Sequence, residues 1–253
     1  MIRQDIKSKE YFEKYLLTGK SFIDRGFEML ANGKVAAAQV NRFKKGQFDL
    51  LYNYAIASYT AGENKEGVKK HVLAAIAYLK ESWAPEIVLL NNGKQYNQYN
   101  ADTYVQMLSL LSLAYLLDIG NSDFAKLVEI IDRDHIKDYL YEFIIKAKQP
   151  ERKVISSESY QEFFGIPNAY EGLRTAIAES DKDKAEKSVK AFMKNWAKKQ
   201  KELGIALESH KCKHDTYFGY WSFETAAVAA ILGLNEDDLN TLPYYPKEIT
   251  KSE

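Results

Sequence analysis

Tyr217-Phe218-Gly219-Tyr220-Trp221-Ser222-Phe223-Glu224 runs directly into Thr225-Ala226-Ala227-Val228-Ala229-Ala230-Ile231-Leu232-Gly233, and the tail closes through Pro243-Tyr244-Tyr245-Pro246. The second segment is apolar on every side, and a helix of that kind is a buried one. Gly233 supplies its stop. One ionisable group, Glu224, enters this apolar setting and needs hydrogen-bond partners or a chemical role. The pattern predicts a helix over 219–232, with the aromatics locking the tail onto the core. Tyr220 and His214 are the nearby groups expected to satisfy the carboxylate.

The rest of the 253-residue chain fits the same frame. Five prolines and thirteen glycines are few for this length and favour helices over short strands joined by turns. Tyr11, Phe12, Tyr15 and Leu16 begin one helical stripe, which Asn32-Gly33 ends. Helices are expected over about 35–59 and from about 65 to 84. A second strongly apolar helix, Tyr104 to Leu117, is read as the centre of the core, with Asp102 as its cap. Shorter helices are expected over 122–131, 135–147, 160–164, 168–179 and 182–203, with one more after Asn235. Residues 91–100 read as a polar loop, and 149–159, with Pro150, as a linker. No long stretch alternates with period two, and no regular repeat recurs. The expectation is an all-α fold, an irregular bundle of roughly eight to ten helices. An N-terminal helical region (1–120) packs on a C-terminal one (121–253).

Charge is balanced at 35 against 35, so no global field recommends nucleic acid or a membrane surface. The single cysteine, Cys212, excludes an internal disulfide framework and suits a reducing compartment. Residues 1–20 lack the apolar core of a secretory signal, and no run reaches the roughly 20 residues that span a bilayer. The expected location is the cytoplasm. Locally the charge is uneven: residues 1–80 carry 14 Lys/Arg against 8 Asp/Glu, and residues 101–145 carry 3 against 8.

No phosphate loop, His-Glu-x-x-His or paired-cysteine motif occurs, and no cofactor is expected. His210, Cys212 and His214 alternate as soft ligands would, but Lys211 and Lys213 oppose a cation, so this stretch reads as a surface loop. Lys182 to Lys201 is a lysine-rich amphipathic helix, diluted by Asp181, Asp183, Glu186 and Glu202, and reads as a solvated face. Asp134, Asp138 and Glu142 fall at i, i+4, i+8, with Ile136, Tyr139, Leu140 and Phe143 turned inward. The acids should therefore face water, Asp134 doubling as an N-cap. Glu224 suits a structural acceptor better than a general acid, because no second carboxylate, nucleophile or oxyanion motif accompanies it.

Taken together, the run Tyr217 to Ala229, Gly233, and Pro243-Tyr244-Tyr245-Pro246 resembles the C-terminal signature of the PoNi immunity-protein family. The tyrosine-rich helices before the apolar central helix are similar to that family's N-terminal region. Tyr217, Gly219, Tyr220, Trp221, Glu224, Tyr245 and Pro246 correspond to signature positions, and Thr225 stands where the family often has alanine. The resemblance implies an all-helical, non-catalytic protein. Its partner would be a cognate PoNe-type DNase toxin, delivered between bacteria by contact-dependent secretion and bound in the producer's own cytoplasm. A DNase holds phosphates in a positive cleft, which an acidic rigid face would block. Asp132, Asp134, Asp138 and Glu142 are the toxin-binding residues this reasoning selects. The alternatives are a helical enzyme using Glu224 in an aromatic pocket and a general interaction scaffold. The sequence fixes no oligomeric state.

Overall fold

The computed structural model describes residues 1–91, 93–153, 166–205 and 207–249, without the side chains of residues 95, 166 and 167. Helix α1 (Lys9–Ala31) starts at Ser8, whose hydroxyl accepts from the Tyr11 amide. It lies along α2 (Val40–Thr60), which a four-residue turn joins to α3 (Lys65–Ser82). Asn64 caps α3 by accepting from the Gly67 amide at 2.8 Å. This first layer is a helical hairpin with α1 on its flank.

A one-turn helix, α4 (Pro85–Val88), leads into an antiparallel hairpin of β1 (Leu89–Asn91) and β2 (Gln95–Tyr99). The polar stretch expected as a loop is thus the molecule's one small sheet among the described residues. Its strands are too short to show a two-residue period, and the buried positions of β2, Gln98 and Tyr99, sit side by side.

Helix α5 (Ala101–Leu116) occupies the middle of the molecule. Met107, Leu108, Leu110, Leu111, Leu113 and Ala114 are all fully buried. The Ser112 hydroxyl, also inside, donates to the Leu108 carbonyl at 2.7 Å, which removes the cost of an orphan polar group. Asp102 lies in the first turn and does not cap; Asn100 precedes the helix. Around α5 stand α6 (Asn121–Arg133), α7 (Tyr139–Lys148) and α11 (Phe223–Leu232). Ala226, Ala227 and Ala229 are fully buried, and their small side chains let α11 approach α5 closely. A short α8 (Ile166–Ala169) precedes α9 (Glu171–Ala178), which pairs with the long α10 (Lys182–Glu202). Trp196, on the inner face of α10, reaches α11.

Three expected boundaries move. Helix α11 begins at Phe223, so Gly219 to Ser222 precede the helix and belong to no regular element. Asp134 ends α6, and Asp138 is the N-cap of α7. After Asn235 the chain makes only a 3-10 turn, Leu239–Thr241. The helix expected over 160–164 and most of the expected linker lie outside the described residues. Apolar side chains from both halves meet in one continuous core, from Phe12 on α1 to Tyr245 in the tail. No described helix is long and apolar enough to cross a membrane.

Candidate functional site

The aromatic box is an irregular strap that crosses the end of α2. Thr60, the last residue of α2, holds it in two places. Its hydroxyl donates to the Phe218 carbonyl at 2.7 Å and accepts from the Trp221 indole N–H at 2.9 Å. Gln4 holds the other side. Its side-chain oxygen accepts from the Tyr217 hydroxyl (2.6 Å) and the Tyr220 amide (3.0 Å), while its amide group donates to the Tyr220 carbonyl. The Tyr11 hydroxyl accepts from the Tyr217 amide and donates to the Tyr217 carbonyl, both at 2.9 Å.

Arg3 completes the join. Its guanidinium lies 4.5 Å from the centre of the Tyr59 ring, donates to the carbonyls of Tyr59 and Glu63, and pairs with Glu248 at 3.1 Å. The Tyr244 carbonyl accepts from the Ser222 amide, and the Tyr245 hydroxyl donates to Glu236. Tyr217, Trp221 and Tyr245 are therefore structural parts of the strap and tail. Tyr220 is mostly buried, and its hydroxyl meets Ser209 and the ring of His210, each at 3.0 Å. His210 lies in a 3-10 turn, Ser209–Lys211, and Cys212 beyond it is exposed.

Gly219 is needed at its position. Its φ is +126°, and a Cβ there would stand 2.1 Å from the Thr60 hydroxyl oxygen. Only glycine adopts that backbone and leaves that space.

Glu224 is buried, but Tyr220 and His214 do not satisfy it. The Trp196 indole N–H donates to it at 2.7 Å and the Ser222 hydroxyl at 2.6 Å, with the Thr225 hydroxyl next in line at 2.6 Å from Ser222. A cleft of about 230 Å³ opens beside the strap between Tyr52, Asp102, Trp196, Gln200, Phe218 and Trp221. Glu224 does not line it. Burial raises the Glu224 carboxyl above its ordinary 4.5, partly opposed by the bonds from Ser222, its own backbone and Trp196.

A raised acid binds more protons folded than unfolded. Below about pH 4.5 both states are protonated and no penalty exists. As pH rises, the unfolded chain ionises first, and stability falls until pH passes the folded value. Glu224→Gln keeps an oxygen to accept both bonds and cannot ionise. Its urea midpoint should therefore gain on wild type as pH is raised above 4.5, and the gap should close below it. A gap independent of pH would mean that burial does not act on Glu224 in this way.

The acidic segment is not a solvent-facing stripe. Asp134, Asp138 and Glu142 are 4%, 5% and 2% exposed. Moving the α7 start to Tyr139 breaks the i, i+4, i+8 face, and each acid finds its own partner. Asp134 accepts a two-pronged pair from Arg133 (2.7 and 2.9 Å) and a bond from the Tyr99 hydroxyl. Asp138 accepts from the Tyr141 amide and the Tyr104 hydroxyl. Burial raises its carboxyl, with those bonds and the Arg174 charge opposing. Glu142 accepts two bonds from Arg152 (2.6 and 2.7 Å), and the same guanidinium reaches Asp132.

Three of the four selected acids are thus buried and bonded inside the molecule. Asp132 keeps an exposed side chain, as the outer ligand of Arg152. Asp118 and Asp123 are also paired, with Lys148 and Lys126. The local excess of acid in the sequence is therefore offset in part by Lys148 and Arg152, which fold against it from outside the segment. Sequence reasoning missed Arg3, Gln4, Thr60, Arg152 and Trp196 as the groups that hold this region. Only the apolar setting of Glu224 signalled that a donor such as Trp196 was needed.

Among the described residues no group of three or more His, Cys, Asp or Glu is placed to hold a metal ion. No curated protein and no solved structure matches the chain. Two family models match in tandem. The model for the N-terminal part of PoNe immunity proteins covers residues 3–129, and the C-terminal model covers 136–249, which contains the whole strap, α11 and the tail. The chain belongs to the PoNe immunity protein (PoNi) family.

Proposed function

We propose that this chain is an immunity protein that binds a cognate, DNA-cleaving PoNe effector in the cytoplasm of the producing cell. It silences that effector by covering its active site or DNA path, without turning over a substrate itself. The observation that carries the reading is the tandem family match over residues 3–249. The geometry supports it. The buried carboxylate that invited an enzymatic reading, Glu224, is held by Trp196 and Ser222 and does not line the neighbouring cleft. An inhibitor of this kind works as a rigid body, and the continuous core with its cross-tied termini suits that use.

Co-expression tests it. Cells producing the effector encoded beside this chain should survive and keep their chromosomes when the chain is present, and the two proteins should co-purify. Glu224→Gln should protect as well as wild type, whereas an enzyme using that acid would lose its effect. Cells that die despite abundant folded protein, with no complex recovered, would end the proposal.

A further inference from the structure

Helix α10 carries a second charged feature that the aromatic strap and the acidic segment do not use. Lys184, Lys187, Lys194, Lys198 and Lys201 project from one face, since separations of 3, 7, 11 and 14 residues return to nearly the same side of a helix. All five are exposed. At 1.5 Å per residue the row is about 25 Å long.

Asp183 lies exposed one turn before Lys187, on the side of the row, while the other acids of the helix are engaged. Asp181 caps it, Glu186 pairs with Lys190, and Glu202 pairs with Lys199. Lys190 also holds Asp238, on the other side of the helix from α9. Among the described residues none of the five lysines of the row is in an ion pair; Lys198 and Lys201 feel Glu202 and Glu208 at longer range. Five like charges in line repel one another, and against Asp183 and Glu202 the row stays net positive among the described residues.

Beside the row runs an open groove between α9 and α10, lined by Thr175, Ser188, Ala191 and Asn195. Gly172 lets α9 approach α10 closely: a Cβ there would lie 2.9 Å from the Phe192 Cβ. Glu171, on the α9 wall, pairs with Arg174.

We propose that this lysine row and its groove form a docking surface for a carboxylate-rich segment of the partner protein. The proposal rests on the immunity reading and names where the partner sits. Charge complementarity carries it, because an extended or helical acidic segment would set its carboxylates along the row and its small side chains in the groove. Nucleic acid is the competing occupant. The row has no arginine and no exposed aromatic ring on which bases could stack.

The test uses the full chain and the effector encoded at the same locus, inactivated in its active site. The triple variant Lys187→Glu, Lys194→Glu, Lys198→Glu should weaken binding about 100-fold, and the matching Lys→Gln triple about 10-fold. Reversal of Lys34, Lys70 and Lys80, equally exposed on other helices and turns, should leave affinity within about twofold. Wild-type affinity should fall with added salt, and that slope should flatten in the triple variants. Circular dichroism confirms that each variant is folded. Wild type that binds while the Glu triple binds equally well overturns the docking surface and leaves the immunity reading standing. Wild type that does not bind at all overturns the immunity reading. Micromolar binding of a 20-base-pair duplex, lost in the Glu triple while effector affinity is kept, assigns the row to nucleic acid and overturns the protein occupant.

Discussion

Gly219→Ala is expected to lower the unfolding free energy by about 4 kcal/mol, the sum of backbone strain and overpacking. Two costs coincide at this residue. The backbone sits at φ +126°, which an L side chain adopts only under strain. The added methyl would also meet the Thr60 hydroxyl at 2.1 Å and the Trp221 indole nitrogen at 2.7 Å. Relief requires moving the strap away from α2, which breaks the Thr60 bonds to Phe218 and Trp221. Equilibrium urea unfolding of the purified variant checks this. A loss below about 1 kcal/mol would show that the strap can shift freely and that Thr60 does not fix it.

Arg152→Ala is the second large effect. Arg152 is the partner of a carboxylate, Glu142, whose side chain is 3% exposed, and it also reaches Asp132. Removing the guanidinium leaves a buried carboxylate without its two-pronged donor, which costs about 3 kcal/mol when the other partner stays. Changing both members separates the loss of the pair from the loss of folding. Arg152→Met with Glu142→Gln should recover most of the stability, because neither remaining group carries a charge to desolvate. Denaturation of the two single variants and the double variant gives the coupling. A single Arg152→Ala change that shifts the midpoint negligibly would mean that water replaces Arg152 at Glu142.

Particular residues show what the sequence could and could not carry. The apolar runs of α5 and α11 announced buried central helices, and the signature tyrosines announced a locked tail, because both signals are local in the chain. The acidic segment misled for the opposite reason. Asp134, Asp138 and Glu142 were spaced for one helix face, but the helix begins only at Tyr139, and their partners Tyr99, Tyr104 and Arg152 come from other elements. Net charge along a segment says nothing about bases that folding brings from elsewhere. Thr60 and Gln4 were unreadable for the same reason: their bonds to the strap span 158 to 216 residues, and no periodicity records such a distance. The lysines of α10 were visible as a solvated face. Their lack of ion pairs among the described residues emerged only from the fold, which engages Glu186, Asp238 and Glu202 with Lys190 and Lys199.

The contact between Gln4 and Tyr220 sets a timetable for the living cell. A ribosome adding roughly 5 to 20 residues per second needs some tens of seconds to travel from one to the other. Until that journey is finished the nascent polypeptide cannot set residue 4 against residue 220, so the join between the first helices and the strap is among the last features of the fold to form.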